Sequence, residues 1–101
     1  MELQIRNLLE STWLQGNINA TYKSLVELLG EPNGETDGYK VDIEWELFIN
    51  GKPMTIYNWK NGKNYLGNSG MNIEDITDWH IGGNCDLLSE IEWLKNKLSE
   101  L

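Results

Sequence analysis

The sequence predicts an α+β fold in a single domain, residues 1–101. A small antiparallel β-sheet is built on a hairpin over Val41–Trp59 with a further strand near Ile76–Ile81, and helices pack on one face of that sheet. Three observations predict it. Apolar and polar residues alternate from Val41 to Ile49, with Asn50-Gly51 directly after them. Tyr22, Leu25, Val26 and Leu29 recur at helical spacing behind Thr21. Leu87, Ile91, Leu94, Leu98 and Leu101 form a helical apolar stripe at the other end. A chain of 101 residues has room for one core and not for two.

From the start of the chain, Leu3, Ile5, Leu8 and Leu9 give Met1–Glu10 a spacing that suits a short helix and leaves a strand open. Thr12, Trp13 and Leu14 suggest a short extended piece ending near Gly16. Thr21 is placed to cap the first clear helix, Gly30 fits a left-handed residue after it, and Pro32 prevents its continuation. The turn residues of Glu31–Gly38 read as a loop.

In the central hairpin, Val41, Ile43, Trp45, Leu47 and Ile49 take one face, and Asp42, Glu44, Glu46 and Phe48 the other. A turn at Asn50-Gly51 sets the register. Leu47 opposes Met54, Trp45 opposes Ile56 and Ile43 opposes Asn58 on the buried face. Glu46 opposes Thr55, Glu44 opposes Tyr57 and Asp42 opposes Trp59 on a second face that is either solvated or a ligand surface. Pro53 lacks a ladder donor at its own position. Gly82-Gly83 is expected to stop the strand near Ile76–Ile81, and Asn84 or Asp86 to cap the last helix. Trp93 lies off that helix's stripe, over a loop or in a contact between two copies.

Sixteen acids against eight bases give a formal charge of −8. This disfavours nucleic acid and anionic membranes as direct partners, since both need clustered Lys and Arg. It leaves open plain solubility, or an acidic surface that occupies a basic groove of another protein. Cys85 is the single cysteine, so no intrachain disulfide forms; it lies near a helix start, where a thiol is either activated or simply a small residue. No apolar run has the length of a membrane span, and the charges within MELQIRNLLE argue against a signal peptide. A cytoplasmic location is the expectation.

Enzyme templates are mostly missing. One His and one Cys do not build a zinc site, and neither a phosphate-binding glycine loop nor a nucleophile elbow appears. No cofactor and no metal are expected. Gly82-Gly83 ahead of a helix could bring backbone N–H groups to a phosphate, but it reads equally as a strand-to-helix turn. Asp78 and His80 point the same way along a strand and could share acid–base work, yet a structural hydrogen bond or a ligand contact explains them with fewer parts. The densest segment is Ile56–Tyr65. Tyr57, Trp59 and Tyr65 offer stacking faces and Lys60 and Lys63 offer charge, a set that suits a compact nucleotide-like anion. The competing reading is a strand end whose rings pack in the core.

The motifs Gly30-Glu31-Pro32, Gly38-Tyr39-Lys40-Val41-Asp42, YNWKNGKNY from Tyr57 to Tyr65 and DITDWHIGG from Asp75 to Gly83 extend over about two-thirds of the chain. In them the sequence resembles a group of short, mostly uncharacterised bacteriophage proteins. The resemblance implies a phage product acting in the cytoplasm of an infected bacterial host, against its defences. Joined to the residue reading, it points to a non-enzymatic binding protein, or sponge, that sequesters a small nucleotide-type immune signal. Tyr57, Trp59 and Tyr65 would stack on the base, Lys60 and Lys63 would meet phosphate, and Asn58, Asp78 or His80 would hydrogen-bond the ligand. A homo-oligomer is expected, because a small domain gains enclosing surface at a subunit boundary. Two alternatives stand beside it. One is an acidic inhibitor whose Asp42, Glu44, Glu46, Glu74 and Asp75 mimic nucleic-acid charge; the other is a small nucleotide hydrolase using Asp78 and His80.

Overall fold

A computed structural model describes residues 1–101. In chain order the elements are β1 (Leu3–Ile5), β2 (Trp13–Asn19), α1 (Tyr22–Leu29), β3 (Glu44–Ile49), β4 (Lys52–Tyr57), α2 (Lys63–Leu66), β5 (Asp78–Gly83) and α3 (Leu88–Ser99). Two 3-10 turns, Gly67–Ser69 and Ile73–Asp75, lie between α2 and β5. The five strands form one antiparallel sheet in the order β1-β3-β4-β5-β2. This is the expected α+β architecture, with two strands more than the sequence pattern resolved.

The hairpin sets the sheet. Asn50 and Gly51 both have positive φ, 52° and 76°, the combination a two-residue turn needs to match the twist of its strands. The expected register holds at Leu47–Met54, Trp45–Ile56, Glu46–Thr55 and Glu44–Tyr57. It stops there. The pairs Ile43–Asn58 and Asp42–Trp59 do not form, because the Asn58 side chain turns inward and itself accepts from the N–H groups of Asp42 and Ile43.

The segment Met1–Glu10 is not helical. Leu3, Gln4 and Ile5 pair with Ile49, Phe48 and Leu47 along the open edge of β3. Ladder bonds with an existing strand outweigh an isolated helix of so few residues. β2 does not end at Gly16 either; a bulge between Leu14 and Gly16 absorbs the irregularity, and the strand continues to Asn19. In β5 the two glycines lie inside the ladder instead of ending it. A Cβ on Gly82 would collide with Thr55 Oγ1, and one on Gly83 with Leu87 Cδ1, so close packing explains both.

α1 and α3 cover one face of the sheet, over a single cluster of 15 buried apolar residues. Thr21 caps α1 as expected, its Oγ1 accepting from Ser24 N–H at 3.0 Å. Gly30 follows with φ 85° and ψ −169°, a positive-φ stop outside the left-handed helical region. Trp45 and Trp79 meet edge to face at 5.4 Å beneath this helix. The Trp45 Nε1–H donates to Gly30 O and the Trp79 Nε1–H to Ala20 O, so the two indoles hold both ends of α1. α3 begins at Leu88, where Asp86 Oδ1 accepts from the Leu88 N–H at 3.0 Å. Its stripe is buried at Leu87, Ile91, Leu94 and Leu98, whereas Leu101 lies exposed past the helix end. Trp93 packs half-buried against the rim of this core under Lys97.

The opposite face has no helix. The link from β1 to β2 crosses it from one edge of the sheet to the other. Arg6 lies over the Phe48 ring at 3.7 Å, Leu8 N–H donates to Glu46 Oε1, and the Thr12 and Thr55 hydroxyls are 3.2 Å apart. This strap covers the Phe48–Glu46–Thr55 part of the face. It leaves open the row Asn17–His80–Tyr57–Glu44, one residue from each of four adjacent strands.

Candidate functional site: an aromatic and lysine platform

The open row and the ends of the hairpin meet at Trp59. The Tyr57, Trp59 and His80 rings form a triangle with centroid separations of 6.1, 5.6 and 6.1 Å, and Trp59 and His80 lie within 24° of parallel. Beside them the hairpin brings together two aromatic–lysine pairs, Tyr39-Lys40 and Trp59-Lys60. Lys40 Nζ lies 5.5 Å from the Trp59 ring centre and 6.0 Å from Tyr39, while Lys60 Nζ lies 5.7 Å from Trp59 and 5.5 Å from Tyr65. Tyr39 and Tyr65 touch at 5.1 Å. The circuit Tyr39–Lys40–Trp59–Lys60–Tyr65 therefore closes on itself, with each ammonium group between two rings.

Backbone geometry holds the circuit. Lys60 has φ 59°, a conformation uncommon for a residue with a Cβ, and its N–H donates to Lys40 O at 2.8 Å. On the other side, Asp37 Oδ1 accepts from the N–H groups of Tyr39, Lys40 and Val41. Those bonds, that of Tyr39 first, hold the Asp37 carboxyl below its ordinary range. Neither Lys40 nor Lys60 forms a salt bridge, although the chain has twice as many acids as bases.

The residues expected to bind a ligand divide into three groups. Tyr57, Trp59, Lys60, Tyr65 and His80 come together, with Trp59 37% exposed. Asn58 does not join them. It is fully buried and uses its whole side-chain amide on the protein, accepting from Asp42 and Ile43 N–H and donating to Asp42 Oδ1 and Asn61 Oδ1. Its expected ligand role is corrected to a structural one. Lys63 is exposed at the start of α2 and lies over none of the rings. Asp78 accepts from Asn17 Nδ2 at 3.2 Å, and no hydrogen bond links it to His80, so the acid–base pair considered for a hydrolase is not assembled. Tyr39 and Lys40 were missed. Their signal was present, since the hairpin register carries an aromatic–lysine pair on each arm to the same end.

The acidic face expected for charge mimicry is largely turned inward. Asp42 accepts from Asn58 Nδ2 and Asn64 N–H, and Glu46 from Leu8 N–H and Asn7 Nδ2. Glu44 is half-buried beside Tyr57; burial first, then Glu46 and Asp37, push its carboxyl up to about 7. Burial, with Glu44 adding to it, also raises the Tyr57 hydroxyl. Only Glu74 and Asp75 of the five acids stand exposed.

The platform is open and not a hollow. The one pocket of the molecule, about 340 Å³, lies elsewhere, between α1 and α3, and is lined by Thr21, Ser24, Thr77, Lys95 and Leu98 among others. No group of three or more His, Cys, Asp or Glu side chains is arranged to hold a metal ion. No protein-family model, curated protein or solved structure matches the chain. No helix is long and apolar enough to cross a membrane.

Proposed function

We propose that the protein is a non-enzymatic binding protein that captures a small nucleotide-type anion on the Trp59 platform. The observation that carries this is the pair of lysines held between rings without carboxylate partners in a strongly acidic chain. An unpaired ammonium group beside an exposed indole suits a ligand with a planar ring and a phosphate. The base stacks on Trp59 with His80 alongside, and the phosphate meets Lys40 and Lys60. Excess negative charge elsewhere repels long polyanions and leaves a compact ligand favoured. In the phage setting that the resemblance implies, the captured molecule is a bacterial immune signal, and tight retention without turnover blocks the defence. An open platform encloses less of a ligand than a cleft does, so the stacking and charge contacts carry the binding.

Tryptophan fluorescence and calorimetry with adenine and guanine mono- and dinucleotides test this reading. Binding is expected to weaken tenfold to a hundredfold, roughly, in Trp59→Ala with the far-ultraviolet circular dichroism unchanged. Lys40→Ala and Lys60→Ala should each weaken it and flatten its salt dependence. Mass spectrometry should return the nucleotide intact. No binding to any nucleotide, or unchanged affinity in Trp59→Ala, would overturn the proposal.

A further inference from the structure

The two edges of the sheet are not alike. β1 has three residues, is flanked by Glu2 and Arg6, and is too short to template another strand. β2 has seven residues, WLQGNIN, with no charged side chain and no proline. It pairs with β5 on one side only, and no loop backbone bonds to its outer side. Trp13 and Leu14, adjacent along this edge, are 59% and 56% exposed. The one blunting feature is the bulge, where the Gln15 side-chain amide turns back to Gly83 O.

We infer that β2 is the seam of a homodimer, pairing antiparallel with β2 of a second copy about a two-fold axis. Three points select a second copy over another partner. A molecule of charge −8 repels its own kind over most of its surface, and β2 is an uncharged stretch where that repulsion is weakest. A two-fold gives every outward N–H and C=O of the edge an identical strand, so the match needs no complementary sequence. Trp13 and Leu14, exposed on opposite faces of this edge, then each gain a cross-strand neighbour from the second copy. The product is a ten-stranded sheet. Because the axis runs normal to the sheet, both sets of helices lie on one side and both Trp59 platforms on the other. The two β5 strands, each carrying His80, are separated by three strand spacings, about 14 Å. This inference does not depend on what the platform binds.

Sedimentation equilibrium and native mass spectrometry of the full chain, from micromolar to millimolar concentration, give the oligomeric state. A dimer is expected. The double substitution Trp13→Lys with Leu14→Lys places four ammonium groups at the seam of a dimer and should yield a monomer of unchanged circular dichroism. Amide hydrogen exchange of the unaltered protein provides the second measurement, independent of any variant's folding. Alternate amides of Trp13–Asn19 should exchange more slowly as concentration rises, while those of β1 do not change. A monomer throughout the range, a dimer that persists in the folded double variant, or β2 exchange that ignores concentration would each overturn the inference.

Discussion

Asn58 closes the hairpin where a backbone pair would otherwise stand. Its side chain is fully buried, and the amide joins the half-buried Asp42, Ile43 and Asn61 in four hydrogen bonds. Asn58→Ala leaves the Asp42 and Ile43 N–H groups without this acceptor and the Asp42 carboxylate with Asn64 N–H alone, and should cost about 3 kcal/mol in urea denaturation. Glu44 makes a different prediction. Its folded carboxyl keeps its proton to about pH 7, against an ordinary value of 4.5, and no salt bridge compensates its charge. Between those values the folded state binds more protons than the unfolded state. Its stabilising contribution is therefore complete below pH 4.5, declines as pH rises toward 7, and is lost above it. Glu44→Gln should flatten that decline and raise stability at pH 8 by about 2 kcal/mol, allowing for partial solvent screening, as read from denaturation midpoints across pH. Neither role was legible beforehand. Alternation assigns Asn58 and Glu44 to faces of a strand, but it does not reveal that one side chain would replace the ladder or that burial would act on the other's carboxyl.

Elements were legible where periodicity and capping chemistry agree. The nine-residue alternation and Asn50-Gly51 located the hairpin and four of its pairs, because turn and pleat independently demand the same register. Thr21 located the start of α1 for a similar reason. Edge strands β1 and β2 were harder: a three-residue strand has no period, and a bulge breaks the period of a longer one. The attachment of α1 was invisible, since it depends on two indoles from distant strands. Trp79→Phe keeps most of the ring's packing and removes the bond to Ala20 O, so it should cost about 1–2 kcal/mol and loosen the N-terminal end of α1. Amide exchange of Ser24 and Leu25, compared with that of Gly30, would read the loosening directly.

For the molecule as a whole, charge is the term that composition predicts best. Three salt bridges are weak counterweights to sixteen acids, two of them exposed pairs on neighbouring turns of α3. Moderate sodium chloride should raise the melting temperature by a few degrees, because it screens net repulsion more than it weakens those pairs. A fall on adding salt would mean that attractive pairs dominate. The platform was half legible at this scale: its rings were concentrated in one segment, whereas its second lysine and tyrosine came from the other hairpin arm.

The crossing of the strap from β1 to β2 also bears on how the chain is made. Its first nineteen residues form both margins of a sheet whose three central strands all come later. A ribosome releases those nineteen residues while their neighbours are still untranslated, so they stay unpaired until β3 and then β5 emerge. The hairpin can form as soon as it is exposed, and the opening segment must then be laid across it from outside. The topology predicts assembly from the middle of the sheet outward, with residues 3–19 the last to settle.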